Sequence, residues 1–129
     1  MFVGKTPAVE VVLSNPLLSV RLPESGSLLA ILDTGYEGFA VVPPEVFVRL
    51  KLNELSQTKR NLVTPTGKLV ESTGTYGRVI VPELKTFQDG FIETTEGVDE
   101  IMLGTGFLSG FKLTLNYCSM SLEIIPCRQ

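Results

Sequence analysis

The sequence predicts a mainly β chain, a small closed barrel or sandwich with one or two short helices. Short segments rich in apolar and β-branched residues recur along its length, as in "AVEVVLS" (8–14) and "FKLTLNY" (111–117). Glycine, at 12 residues, and proline, at 8, fall between these segments, where turns belong. No stretch carries the apolar spacing of a long helix.

The elements follow in order. "AVEVVLS" (8–14), "LLSVRL" (17–22) and "SLLAILD" (27–33) read as strands, separated by Asn15-Pro16 and by "PESG". "FAVV" (39–42) is a short buried strand. Pro43-Pro44 opens "PPEVFVRLKL", a short helix, since proline suits a helix start. "NLVTPTGKLVEST" (61–73) is a hairpin whose turn, "TPTG", has Pro65 second and Gly67 last. "GTYGRVIV" (74–81) is a further strand, its glycines marking bends or close backbone approach. Residues 90–98 read as a glycine-containing loop. "EIMLG" (100–104) is a short strand, "TGFLSG" one helical turn, and "FKLTLNY" and "SLEIIP" (121–126) are the last two strands.

At 129 residues the chain is expected to form one domain, 1–129. The net charge of −3 comes with scattered Lys and Arg, which argues against a nucleic-acid partner, since such a surface needs a basic stripe. No run approaches the ~20 apolar residues of a membrane helix, so no membrane partner is expected. The N-terminal "MFVGKTPAVEVVLS" lacks the layout of a secretion signal, which makes a cytoplasmic location the expectation. Cys118 and Cys127 make neither a disulfide framework nor a zinc site. They read as free thiols, with a disulfide between them open in an oxidising compartment. The chain has no histidine. That removes Ser-His and Cys-His nucleophilic catalysis and the commoner zinc sites. No metal and no cofactor are expected, and any enzymatic chemistry falls to carboxylates, Lys, Tyr, Cys or backbone groups.

One motif stands out against this background. The apolar run Leu28–Leu32 ends on Asp33, and Thr34 and Gly35 follow at once. Asp and Gly are ordinary turn formers, so a structural explanation is available. Asp-Thr-Gly arises by chance in roughly 2% of chains this long, and alone it decides nothing. Its context is more specific. A second apolar strand follows it, then a Pro-Gly hairpin, and "IMLGTG" later echoes "AILDTG".

With these pieces in this order, "AILDTG", the hairpin and "IMLGTGFL", the chain resembles the retropepsin-like aspartic proteases, the single-lobe members of the pepsin clan. The resemblance runs from about Leu28 to Ile125, and "DTGYEGFAVVPPEVFVRLKL" with "LGTGFLSGFKLTLNY" resembles the short bacterial and archaeal type. It implies a closed acid-protease β-barrel, one lobe per chain, that acts as a homodimeric aspartic endopeptidase on peptide or protein substrates. Asp33, Thr34 and Gly35 would be the catalytic triplet. The physical reading agrees. Such an enzyme activates water between two carboxylates that share one proton, because like charges about 3 Å apart cannot both ionise. Asp89 in "QDGF" and Asp99 in "EGVDE" read as solvated turn residues, so one chain supplies one carboxylate and a twofold pair supplies two.

The resemblance assigns further roles. Thr34 would hydrogen-bond across the twofold axis, although it can equally satisfy its own turn. Tyr36 and Glu37 would contact the peptide, with Tyr36 standing where the family has a small residue. Glu37 reads equally well as a solvated loop acid. The hairpin would be the flap that covers substrate, through Val63, Thr64, Pro65, Thr66 and Gly67. Its tip is less glycine-rich than viral flaps, and a plain surface hairpin is the simpler alternative. Met102, Leu103 and Gly104 would support the Asp33 loop from behind. A different class of reading also stands: the same dimeric barrel as a binding or scaffold module without turnover. The intact Asp, Thr and Gly favour the enzyme.

Overall fold

The computed structural model describes residues 1–127. Eleven strands, two short α-helices and two 3-10 turns follow one another, with nine strands in one sheet and two in a separate ribbon. The strands are β1 (Phe2–Val3), β2 (Thr6–Asn15), β3 (Val20–Leu22), β4 (Leu28–Leu32) and β5 (Ala40–Val41). After helix α1 (Pro44–Arg49) come β6 (Thr58–Val63), β7 (Leu69–Val81), β8 (Thr86–Thr94) and β9 (Ile101–Leu103). Helix α2 (Thr105–Leu108) precedes β10 (Phe111–Asn116) and β11 (Ser121–Pro126).

Strand β2 organises the sheet. Its first half, Ala8 to Val11, pairs with β4, and its second half, Val12 to Ser14, pairs with β7. Through these two partners the strands β2, β4, β9, β5, β8 and β7 join into a ring. A strand enclosed on both faces has little need to alternate, and Ala8, Val9, Val11, Val12 and Leu13 are all buried. The core within the ring adds Leu32, Val42, Phe47, Val79, Ile92, Leu103 and Phe107.

Helix α1 starts where its prolines dictate. Pro43 is the cap and Pro44 the first helical residue, with Glu45 in the first turn and Arg49 in the last, each charge favourable to the helix dipole. Its one buried residue, Phe47, anchors it to the core.

Three sequence readings change. Residues 17–19 turn rather than extend, and the strand starts at Val20. Asn15 explains the turn. Its side chain accepts the Leu18 N–H at 3.3 Å and donates to the Leu50 carbonyl at 2.9 Å, so it is itself buried and satisfied. The second arm of the hairpin and "GTYGRVIV" are one 13-residue strand, β7. Buried positions fall on even residues up to Gly74 and on odd ones from Gly77, so the strand changes its inward face between the two glycines. A Cβ at Gly74 would stand 2.6 Å from the Ile92 carbonyl oxygen. Finally, residues 90–94 and Asp89 lie in strand β8 and not in a loop. Asp89 pairs with Arg78 on β7 at 2.7 and 3.1 Å. Asp99 does lie in a loop.

Among the described residues, the β10–β11 ribbon pairs with no other strand. Leu113, Leu122 and Ile124 pack one of its faces on the core. The Phe107 ring, fully buried, meets Phe111 at 5.0 Å and Phe39 at 5.7 Å between centroids, and so joins the ribbon to the segment that leads into β5. Phe107→Ala should cost about 3–5 kcal/mol, from lost burial plus the cavity left behind, read as a lower denaturant midpoint at unchanged slope.

Candidate active site

Asp33 sits where β4 ends, and its position follows from the strands beside it. Strand β9 runs parallel to β4, Leu32 opposite Leu103, and antiparallel to β5, Ala40 opposite Leu103. It therefore lies between the strand that enters the Asp33 loop and the strand that leaves it. The Leu103 carbonyl accepts the Asp33 N–H at 2.9 Å. Across the loop the Tyr36 N–H donates to the Asp33 carbonyl at 3.2 Å, and the Gly35 N–H donates to Asp33 Oδ1 at 2.9 Å. The carboxylate is thus aimed by its own loop. It is half-buried, and it has no salt-bridge partner among the described residues. Thr34 and Gly35 are exposed.

The segment after β9 clasps the same loop. Thr105 N–H donates to the Tyr36 carbonyl at 2.8 Å, Gly106 N–H to the Gly38 carbonyl at 3.0 Å, and Gly104 N–H to the Phe39 carbonyl at 3.1 Å. Gly104 has to be glycine here. A Cβ would lie 2.3 Å from the Gly38 carbonyl oxygen and 2.4 Å from that of Tyr36. Met102, between Leu103 and Ile101 on β9, is half-buried.

Tyr36 points inward. Its ring lies against Gly38 and Gly104, and its hydroxyl donates to Glu93 Oε2 on β8. Sequence reasoning missed Glu93, which is fully buried. Arg60 on β6 grips the same carboxylate with two bonds, Nε to Oε1 at 2.7 Å and Nη2 to Oε2 at 2.8 Å. Ser72 on β7 donates to Oε1 at 2.5 Å. The one available signal was an acid inside the strand-forming run "FIETT", which needs a cation or several donors if that strand is buried.

The remaining expected site residues are spread over the surface. Glu37 is exposed, and its carbonyl accepts the Thr105 hydroxyl at 3.4 Å. Val63 and Leu69 face each other across the hairpin at 69% and 64% exposure, as a bare apolar pair. Between them the turn is tied by Thr64 N–H to the Lys68 carbonyl and by Gly67 N–H to the Thr64 carbonyl, both 2.8 Å. The Thr64 and Thr66 hydroxyls meet at 3.0 Å, while Pro65 is exposed. Hydrogen bonds and packing tie Tyr36, Leu103 and Gly104 to Asp33 and its loop. Among the described residues, no hydrogen bond joins the hairpin tip to that loop. Two surface concavities, one near Val9, Leu84 and Ile124 and one near Leu28, Val46 and Ile101, include none of these residues.

The electrostatics centre on Glu93. Burial alone would raise its pKa, but the bonds from Arg60, Ser72 and Tyr36 and the Arg60 charge outweigh burial and hold it below the ordinary 4.5. For Tyr36, burial first and the bond to Glu93 second push the phenol well above its ordinary 10.0.

Comparison with known proteins follows the same outline. No protein-family model matches the chain. An uncharacterized protein of Archaeoglobus fulgidus is 68% identical over 127 residues, 98% of this chain and 99% of that one. The crystal structure of a retropepsin-like aspartic protease from Rickettsia conorii superposes with a TM-score of 0.57 at 19% identity. The match covers 96% of this chain and 95% of that one. The fold is retropepsin-like, mainly β with two short helices.

Two pH dependences of stability follow. The lowered carboxylate gives Glu93 a stabilising contribution that is whole above the unfolded value near 4.5 and is lost as pH falls through the folded one. The raised phenol gives Tyr36 a contribution that is whole below 10.0 and is lost as pH rises beyond it, because the unfolded chain then ionises more readily. In thermal melts Tyr36→Phe should therefore flatten the alkaline decline, and Glu93→Gln the acid one. Glu93→Gln should also cost about 2–3 kcal/mol at neutral pH, less than a fully buried pair, because the Arg60 side chain is 41% exposed.

Proposed function

Since the chain belongs to one family with the Archaeoglobus fulgidus protein and has the retropepsin-like fold, we propose that it is an aspartic endopeptidase, active as a homodimer. The observation that carries this reading is the Asp33 loop itself. At a strand end the Asp33 backbone N–H is held by the Leu103 carbonyl and its half-buried carboxylate by the Gly35 N–H, and the exposed Thr34 and Gly35 beside it are open to a second copy. The Rickettsia conorii protein of the same fold is described as an aspartic protease.

In this reading the two Asp33 carboxylates meet on a twofold axis. Their like charges keep one proton on the pair. The protonated carboxyl polarises the scissile carbonyl, the ionised one takes a proton from water, and the water oxygen attacks the carbonyl carbon directly. No covalent enzyme intermediate forms. Thr34 bonds across the axis and keeps the loops in register. Glu37, exposed at the loop edge, contacts the peptide backbone. Hairpin 61–73 is the cover, and its bare Val63–Leu69 pair supports this, because apolar side chains of that size gain most from a peptide or a second hairpin packed on them. Strand β11 pairs on one side with β10 in a two-stranded ribbon, and the backbone groups of its other edge favour a contribution to the dimer.

Cleavage of a mixed peptide pool between about pH 3 and 6 tests the reading, with a bell-shaped profile expected and a statine-type inhibitor expected to block it. Asp33→Asn should abolish cleavage and leave a folded dimer, and a chelator should change nothing. The dimer should bury more than ~1,000 Å² in total. A protein that stays monomeric at high concentration, or full activity in Asp33→Asn, overturns the proposal. A dimer that binds peptides and never cleaves them would instead favour a binding module.

A further inference from the structure

We propose that Glu93 is a positioning residue that locks the Asp33 loop to the base of the hairpin, so that the loop and its cover hold their places together. Three segments converge on this one carboxylate. Tyr36 arrives from the loop, where its N–H already bonds the Asp33 carbonyl. Arg60 arrives from β6 and Ser72 from β7, opposite each other in the hairpin register. Glu93 itself stands on β8, across from Gly74 of the same β7.

The arrangement holds more than charge neutrality requires. Arg60 alone would balance a buried acid on the neighbouring strands. The Tyr36 hydroxyl adds a side-chain bond between β8 and the Asp33 loop, and its ring can reach Glu93 because Gly38 and Gly104 leave it room. The loop backbone is already bonded to Leu103 and to the Gly104–Gly106 segment, and Tyr36 adds a separate anchor on β8. Arg60 also fixes β6, an edge strand that pairs only with β7. One carboxylate therefore bears on both parts. The catalytic consequence rests on the endopeptidase reading, while the mechanical one does not.

Tyr36→Phe is the cleanest probe, since it removes one hydroxyl and keeps the ring. Amide hydrogen exchange on the intact protein should quicken roughly tenfold at Tyr36 and Thr105 and also along residues 58–63 and 69–73, with the β10–β11 ribbon unchanged. Faster exchange confined to the loop, or no change in either place, overturns the coupling. Asp89→Asn, which breaks the exposed Arg78 pair on the same two strands, should leave both regions alone. In kinetics, Tyr36→Phe and Arg60→Met should each lower kcat roughly tenfold with KM within about twofold, and the double variant should fall no further than either one. Additive losses overturn the proposal. If the wild-type protein cleaves no peptide, that failure falls on the endopeptidase reading, and the exchange result still decides the role of Glu93.

Discussion

The placement of β9 between β4 and β5 is the constraint on which the rest of the molecule rests. Three residues from late in the chain, Ile101–Leu103, pair with strands that precede them by 61 to 71 positions, parallel on one side and antiparallel on the other. Until that insertion occurs, the Asp33 N–H has no Leu103 carbonyl and the loop has no Gly104–Gly106 segment to receive it. The contacts that define the site are thus among the most distant in sequence. Closing such separations is slow for entropic reasons. The site forms only when the ring forms, so local sequence cannot make it early.

The second constraint is the interior carboxylate. Burying an acid is expensive, and Glu93 is tolerated because two hydroxyls and the Arg60 cation meet it. An apolar residue there would pack against the same strands without this cost. It would also leave Arg60, Ser72 and the Tyr36 hydroxyl without their acceptor. Polar satisfaction has been chosen over plain packing at the place where sheet, hairpin and loop meet. Thr94, next along β8, is treated in the same way, its hydroxyl donating to the Val42 carbonyl at 2.7 Å.

Much of the fold could be read from residues alone, and the failures have physical causes. The strands from Ala8, Leu28, Ile101 and Phe111 and the helix after Pro43-Pro44 were legible because prolines or glycines bound their apolar runs on at least one side. The turn at 16–19 was not, because Leu17 and Leu18 extend an apolar run while the Asn15 side chain bends the backbone. Strand β8 was hidden by its charges. Asp89 looks like a turn residue until Arg78 is brought opposite, and Glu93 like a surface acid until Arg60 arrives from a strand thirty-three positions earlier. At the site, Asp33 and its loop were legible as a motif. The inward path of Tyr36 was not, since it depends on space that Gly104 leaves from far along the chain.

The double engagement of β2 has a consequence for how this chain can change length. Pairing with β4 over one half and with β7 over the other fixes Thr6–Asn15 from both ends. One residue gained or lost inside it would turn buried side chains outward and move one ring neighbour relative to the other. Insertions and deletions therefore fit best in segments outside the ring strands, such as the loop at 95–100 and the ribbon turn at 117–120. Related chains can differ freely in span at these points and nowhere along the ring, so an alignment gap falling inside 6–15 marks an alignment error sooner than a tolerated change.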